Sequence, residues 1–384
     1  MLKQNFGTNT ICTHTGAIED ATFGGAVSPL YVSTSYEFLD QDVKRYPRYF
    51  NTPNQEGLAQ KIATLEGAEA GLIFSSGMAA ISAVMLSCLK SGDHAVVQND
   101  IYGGTRNFIE SHFKSYGIQY SFTKDLSAQA FEDCVQNNTK LIYIETPSNP
   151  LLKLVDIFAI GKLGKTHGIT TAIDNTFATP IVQKPITLGV DIVIHSATKY
   201  FGGHSDITAG AVASSQHHID QIWNLAKDFG GNLSDFTVWL LERSMKTLAI
   251  RIKAQQKNAI KLAKFLSKHK AVKQVYYPGL KSHDTHELAK VQMKGYGAML
   301  SFELLKSYDT EKFLKALTLI KPSMSLAGVE STMILPSKTS HALLSENDRK
   351  AQGITNQLIR FSVGIESKKD LIYDIENAIS LSKQ

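Results

Sequence analysis

The segment Ile192-Val-Ile-His-Ser-Ala-Thr-Lys199-Tyr-Phe-Gly-Gly-His-Ser-Asp206 concentrates groups able to do chemistry. An apolar run ends in two hydroxyls, Ser196 and Thr198, and an amine, Lys199, and a glycine-rich turn follows. Ser196 and Thr198 can donate to a phosphate while Lys199 attacks a carbonyl carbon and holds it as a Schiff base. A single lysine after a strand is usually only solvated, so this reading needs neighbours. Ser75-Ser-Gly77-Met78-Ala-Ala80 opens an apolar helix, where small residues leave backbone N–H groups free for an anion. Plain N-capping by Ser75 or Ser76 explains that segment equally well. Ala172-Ile-Asp174-Asn-Thr176 sets a carboxylate directly after another apolar run, and a buried acid there needs a partner. That partner is either a helix start or a cofactor nitrogen. Jointly, an anion site, a positioned aspartate and an attacking amine describe a covalently held, phosphorylated carbonyl cofactor.

Other chemistries fit less well. Ser196-Ala-Thr-Lys199 satisfies the Ser-x-x-Lys of serine hydrolases, but those also require Ser-Asp-Asn and Lys-Thr-Gly. The chain offers Ser205-Asp-Ile207 and Lys246-Thr-Leu248, and both fail. His195, His204 and Asp206 follow no metal-ligand spacing in common use, so no metal is expected. Gly164-Lys-Thr166 lacks the first glycine of a nucleotide loop, because position 159 is alanine.

These residues must stand on something. From about residue 56, short apolar runs alternate with helical stretches. Leu72–Phe74, His94–Val97, Ile118–Phe122, Leu141–Ile144, Thr171–Ile173 and Ile192–Ile194 read as strands, and Gly77–Lys90 and Asp156–Thr166 as helices between them. Such alternation predicts an α/β protein with a mostly parallel, doubly wound sheet, whose sites lie beyond the carboxyl ends of the strands. A long helical pattern over Phe236–Lys268 marks a boundary. Beyond it, Met299–Phe302 and Leu358–Phe361 as strands and Lys369–Ser382 as a closing helix predict a smaller α/β domain. The first 50 or so residues are rich in aromatics yet poorly periodic, and are expected to pack on something else, such as another subunit.

Composition excludes several classes. With 384 residues, 43% hydrophobic, 20% charged and a net charge of +5, the chain reads as an ordinary globular protein of more than one domain. No basic run interleaved with aromatics points to nucleic acid. No apolar stretch is long enough for a membrane, and the opening residues have no signal-peptide core. Cys12, Cys88 and Cys134 are odd in number and widely spaced, which fits free thiols and a cytoplasmic location.

The ordered motifs then carry a resemblance. Tyr46-Pro-Arg48, Leu65-Glu-Gly67, Ser75-Ser-Gly-Met-Ala79, Asp100-Ile-Tyr-Gly-Gly-Thr105, Glu145-Thr-Pro-Ser-Asn-Pro150, Asp174-Asn-Thr-Phe-Ala-Thr-Pro180, His195-Ser-Ala-Thr-Lys-Tyr200, Tyr277-Pro-Gly-Leu280 and Arg360-Phe-Ser-Val-Gly364 run nearly end to end. In these the chain resembles the trans-sulfuration, or Cys/Met metabolism, family of pyridoxal-phosphate enzymes of fold type I. The resemblance implies a central, mostly parallel seven-stranded sheet flanked by helices, and a smaller C-terminal domain. It implies an N-terminal arm over 1–50, a cofactor-binding domain over 51–246 and the C-terminal domain over 247–384. It implies pyridoxal 5'-phosphate on Lys199, which also shuttles the substrate's α-proton. It further implies Asp174 on the pyridine nitrogen, Tyr102 stacked on the ring and Thr176 beside the cofactor. The backbone of Gly77 and Met78, with Ser196 and Thr198, would cradle the phosphate. Tyr46 and Arg48 would reach the phosphate of a neighbouring subunit, making a homodimer and, by resemblance, a tetramer of two dimers. Arg360 would clamp the substrate carboxylate, with Asn149 and Ser325 as second contacts. His195 is expected only to pack at its strand end.

Departures from the family pattern bear on the reaction. Tyr46-Pro47-Arg48 and Asn51-Thr-Pro53 replace the usual Tyr-Ser/Thr-Arg and Asn-Pro-Thr, and Pro47 removes a donor. The usual Ser-Leu-Gly-Gly appears as Ser325-Leu-Ala327-Gly328. Relatives that form or γ-cleave cystathionine tend to carry glutamate at position 324, where this chain has Met324. Methionine γ-lyases tend to carry cysteine where this chain has Gly104. The two absences leave β-elimination from cystathionine or cysteine-like substrates, yielding a thiol, pyruvate and ammonia. Replacement at the γ-carbon of an acylated homoserine, or γ-cleavage, is the alternative.

Overall fold

The computed structural model describes residues 6–342 and 345–384, so the first five residues of the expected arm lie outside it. Seven strands form the large sheet: β1 (Ala70–Phe74), β2 (His94–Val97), β3 (Gln119–Phe122), β4 (Thr139–Glu145), β5 (Thr170–Asp174), β6 (Ile192–His195) and β7 (Gly210–Ser214). Their spatial order is β1-β7-β6-β5-β4-β2-β3. Strands β2 to β6 pair in parallel, and β7 runs antiparallel to both its neighbours.

Helices cover both faces, so every residue of β2, β6 and β7 is buried. That is why these strands read as unbroken apolar runs. Successive side chains still part to opposite faces. Leu72 and Phe74 join the cluster containing Tyr143 and Ile194, while Ile73 joins Ala211 and Ala213 on the other side. Strand β7 is not among the strands expected from the sequence. Its Gly-Ala-Val-Ala-Ser has only small side chains, and pairing with β1 and β6 makes it a strand.

The expected helix over Phe236–Lys268 is two helices, Asp235–Met245 and Leu248–Leu266. Arg251, buried, accounts for the break. Its Nη2 donates to Ser244 O at 3.1 Å and its Nη1 to Tyr200 O at 2.8 Å, so a carbonyl near the end of the first helix finds a partner outside it. After the second helix comes a four-stranded antiparallel sheet of β8 (Val272–Tyr276), β9 (Met299–Leu304), β10 (Thr332–Ile334) and β11 (Leu358–Ser362), in the order β10-β11-β9-β8. It has its own core around Leu300, Phe302 and Phe361, closed by the helix Lys368–Leu381.

At the other end of the chain, the helix Thr8–His14 is fastened through buried Lys61. Its Nζ donates to Cys12 O at 2.9 Å and pairs with Glu242 Oε1 at 2.6 Å. Between that helix and Tyr46 the chain is irregular, with Phe23, Phe38 and Leu39 all well exposed. No helix among the described residues is long and apolar enough to cross a membrane.

Candidate active site

Parallel strands deliver their carboxyl ends to one edge of the sheet. At that edge β4 and β5 finish in register at Glu145 and Asp174, and β6 finishes beside them at His195. A cavity of about 720 Å3 opens there. Its lining brings together Gly77, Met78, Tyr102, Asn149, Asp174, Thr176, Ser196, Thr198, Lys199, Met324, Ser325 and Arg360. Of the cofactor- and substrate-binding residues expected from the sequence, only Tyr46 and Arg48 are not on it.

The amino end of the helix Gly77–Cys88 forms one wall. Ser76 caps it, its Oγ accepting from Ala79 N at 3.0 Å. A Cβ at position 77 would lie 2.8 Å from Ser196 Cβ, so only glycine lets the helix start meet the turn after β6. Thr176 Oγ1 accepts from Ser196 N at 2.8 Å, tying the β5 and β6 ends together. Thr198 Oγ1 donates to Ala209 O at 3.0 Å and accepts from Ala209 N at 2.9 Å. To donate to an anion, the Thr198 hydroxyl has to turn away from that carbonyl.

The floor carries two carboxylates. Asp174 Oδ1 accepts from Thr176 N at 2.9 Å, and Glu145 Oε2 from Tyr102 N at 2.7 Å. Both are buried. Burial pushes both carboxyls above their ordinary range; the Asp174 charge adds to the rise at Glu145, while the Thr176 donors hold Asp174 back.

Across the cavity stand two cations. Lys199 Nζ donates to Ser325 Oγ at 2.9 Å, and burial, with the Arg360 charge, lowers its pKa from the usual lysine value. Arg360 on β11 is buried, and its pKa is lowered to about 10, chiefly by burial. Its Nη1 donates to Asn149 Oδ1 and its Nη2 to Ser325 O, both at 3.0 Å, and no described carboxylate pairs with it. A buried guanidinium lacking a counter-ion is a ready site for a carboxylate.

The remaining walls are less polar. Tyr102 is 43% exposed, and its ring lies over Gly104, where a Cβ would come within 2.4 Å of ring Cε1. Any side chain at 104 therefore displaces the Tyr102 ring. Met324 is 69% exposed at the mouth.

Comparison with known proteins agrees with this geometry. Residues 9–380 match the family model described as Cys/Met metabolism PLP-dependent enzyme. The chain belongs to that family. It is 43% identical to a cystathionine beta-lyase of Lactococcus lactis subsp. cremoris (strain MG1363), over 95% of this chain and 97% of the relative. It is 41% identical to a cystathionine gamma-lyase of Bacillus subtilis (strain 168), over 96% and 98%. The solved cystathionine gamma-lyase of Lactobacillus plantarum, complexed with L-serine, superposes with a TM-score of 0.94 at 39% identity, covering 98% of this chain and 99% of that one. The enzyme is thus a pyridoxal-phosphate-dependent member of the Cys/Met metabolism family with the fold type I architecture. Its cavity fits the cofactor. A helix start with a glycine-only approach suits a phosphate, a half-buried amine suits an aldehyde, and a buried carboxylate with no cationic partner suits a ring nitrogen.

Glu145 and His195 have roles in the site beyond those expected from the sequence. Glu145 carries the same sequence signal as Asp174, an acid directly after an apolar strand, in Leu141-Ile-Tyr-Ile-Glu145. His195 does pack, its ring 4.5 Å from that of Phe201. Its Nε2 also lies 2.6 Å from Oε1 of fully buried Glu66, a polar role the packing expectation omitted. Arg48 lies against the rings of Tyr46 and Tyr49 and donates to Lys227 O.

Proposed function

We propose that this enzyme breaks a carbon–sulfur bond of a sulfur-containing amino acid by β-elimination, releasing a thiol, pyruvate and ammonia. The observation that carries the reading is the half-buried Lys199 amine, set between the carboxylate floor and the unpaired Arg360 guanidinium. Bound there, pyridoxal phosphate supplies an aldehyde that condenses with amines and a cationic ring that accepts the electron pair released at the substrate's α-carbon.

The chain's own residues do the rest. The backbone N–H groups of Gly77 and Met78, with Ser196 and Thr198, would hold the phosphate. Asp174, oriented by Thr176, would pair with the ring nitrogen, and the Tyr102 ring would stack on the cofactor. Arg360, held flat by Asn149 and by the Ser325 carbonyl, receives the substrate carboxylate through two parallel hydrogen bonds. That anchoring leaves the α-carbon facing Lys199 Nζ, whose lowered pKa favours the neutral amine that takes the α-proton. The sulfur substituent then points toward Met324, a thioether that offers dispersion contacts but no charge. The apolar side chain at 324 and the identity to the Lactococcus β-lyase support β-elimination. The Bacillus and Lactobacillus relatives support γ-cleavage as the second reading. A product assay on cystathionine decides: pyruvate supports the β-reaction, and 2-oxobutyrate overturns it in favour of γ-cleavage.

We assign residues 1–50 to an arm, 51–246 to the cofactor-binding domain and 247–384 to a C-terminal domain, in a cytoplasmic homo-oligomer. Tyr46 and Arg48 then serve the phosphate of a second copy. Their place outside their own chain's cavity supports this, as do the exposed Phe23, Phe38 and Leu39 between them and the first helix.

A further inference from the structure

Glu145 and Asp174 are the last residues of adjacent parallel strands and face each other in register. Neighbouring strands lie about 4.8 Å apart, so the two side chains leave the same face within reach of each other. Both are buried, both line the cavity, and no described lysine or arginine pairs with either. Two carboxylates so placed do not both ionise; the pair keeps a proton.

The surroundings decide which of them keeps it. Asp174 receives both the backbone N–H and the side chain of Thr176, and the His195 imidazole adds a favourable charge. Glu145 receives backbone N–H groups from Tyr102 and Asn149, but faces Asp174 on one side and Asp100 on the other. Asp100, itself pushed up to about 6 by burial, is held by Ser148 Oγ at 2.9 Å and lies 3.9 Å from Lys153. Tyr143, on the same face of β4, is buried and supplies no positive charge. Asp174 is therefore the anion, and Glu145 the neutral acid.

We propose that Glu145 is the proton donor for cofactor docking: its carboxyl proton passes to the pyridine nitrogen when that nitrogen settles on Asp174. One O–H bond breaks on Glu145 and one N–H bond forms on the ring. The charge balances, since an anion, a neutral acid and a neutral ring become two anions flanking a cation. Glu145 ends as a carboxylate accepting two backbone N–H groups, and the like-charge repulsion across the strand pair is offset by the cation between them. The inference rests on Asp174 as the partner of the ring nitrogen.

The test counts protons on addition of pyridoxal phosphate to the cofactor-free protein, by calorimetry in buffers of different ionisation enthalpy, at a pH high enough that the free cofactor's ring nitrogen carries no proton. Glu145→Gln keeps an oxygen for Tyr102 N–H but has no acid proton. It should draw about one proton per site more from the buffer than wild type, and bind the cofactor more weakly as pH rises. Glu145→Asp should return the wild-type count. A count unchanged in Glu145→Gln overturns the proposal. Infrared difference spectra of wild type need no variant: a protonated-carboxyl C=O band should disappear on cofactor binding, and its persistence also overturns the proposal. Mass analysis of the borohydride-reduced holoenzyme, which locates the cofactor on a peptide, reports the Lys199 and cavity assignment separately.

Discussion

On the sheet side of the cavity, Asp174, Thr176 and Ser196 stand at the ends of buried strands, on backbone with negative φ. On the opposite side, Ser325 and Ala327 hold φ angles of 77° and 71°, a region where an L side chain crowds the backbone. The first wall is fixed by the hydrogen bonds of a seven-stranded sheet. The second is a loop before β10, held by Ala327 N donating to Ser362 Oγ at 2.7 Å and by Ser325 O accepting from Arg360. Under the proposed function, the residues that hold the cofactor and move the proton, Asp174, Ser196 and Lys199, belong to the stiff wall. Met324, the proposed contact to the sulfur substituent, belongs to the strained loop, which can change sequence without disturbing a strand.

Substitutions on the sheet wall should therefore cost reaction rate, and those on the loop should change selectivity or stability. Lys199→Ala should have the largest effect, removing covalently held cofactor and at least ~10³-fold of turnover, since attachment and proton transfer fail together. A reduced cofactor–peptide adduct at another lysine would contradict it. Asp174→Asn should keep the attachment and lose about 10- to 100-fold in kcat, or roughly 1.4 to 2.7 kcal/mol of barrier. Unchanged turnover would make Asp174 merely structural. If Arg48 acts across a subunit boundary, mixing inactive Lys199→Ala chains with inactive Arg48→Ala chains should restore roughly a quarter of wild-type activity, because half of the dimers carry one intact site. An active monomer at low concentration would end that idea.

Effects on the loop side should be smaller and of another kind. Met324→Glu should shift the ratio of kcat/KM between cystathionine and S-methylcysteine toward cystathionine by roughly tenfold, about 1.4 kcal/mol, through the added partner for a distal ammonium. Equal changes on both substrates would mean that Met324 only packs. Ala327→Gly removes the Cβ from a left-handed position but gains freedom in the unfolded chain. It should raise stability by about 1 kcal/mol or less, seen as a higher thermal midpoint with unchanged kcat. A lower midpoint would show that the strain is not where the backbone angle puts it.

The same contrast explains what the sequence revealed. Strand ends are local signals. An apolar run followed by Asp174, or by Ser196 and Lys199, can be read without knowing what lies beside it, and the resemblance added the names of the partners. Strand β7 was not legible, because its small residues become a strand only between β1 and β6. The break at Lys246-Thr247 was hidden inside good helical periodicity, since the group that stabilises it, Arg251, reaches outside the helix. The pairing of Glu145 with Asp174 depends on register between strands 29 positions apart in number, which no periodicity encodes. Arg360 and Ser325 meet Lys199 only through hydrogen bonds between distant parts of the chain, Lys199 to Ser325 and Arg360 to the Ser325 carbonyl.

Lys61 bears on how the protein is made. Its ammonium is fully buried, and its partner Glu242 lies 181 residues further along the chain. A ribosome releases the helix that carries Lys61 long before Glu242 exists. A buried ammonium without its counter-ion is strongly destabilising, on the order of 3–5 kcal/mol when one partner of such a pair is missing. The nascent amino-terminal region thus cannot seat the helix Thr8–His14 in its final place until almost two-thirds of the polypeptide has emerged. Strand β1 waits in the same way for β7. Translation should therefore yield one late closure, in which the first segments synthesised are among the last to be locked.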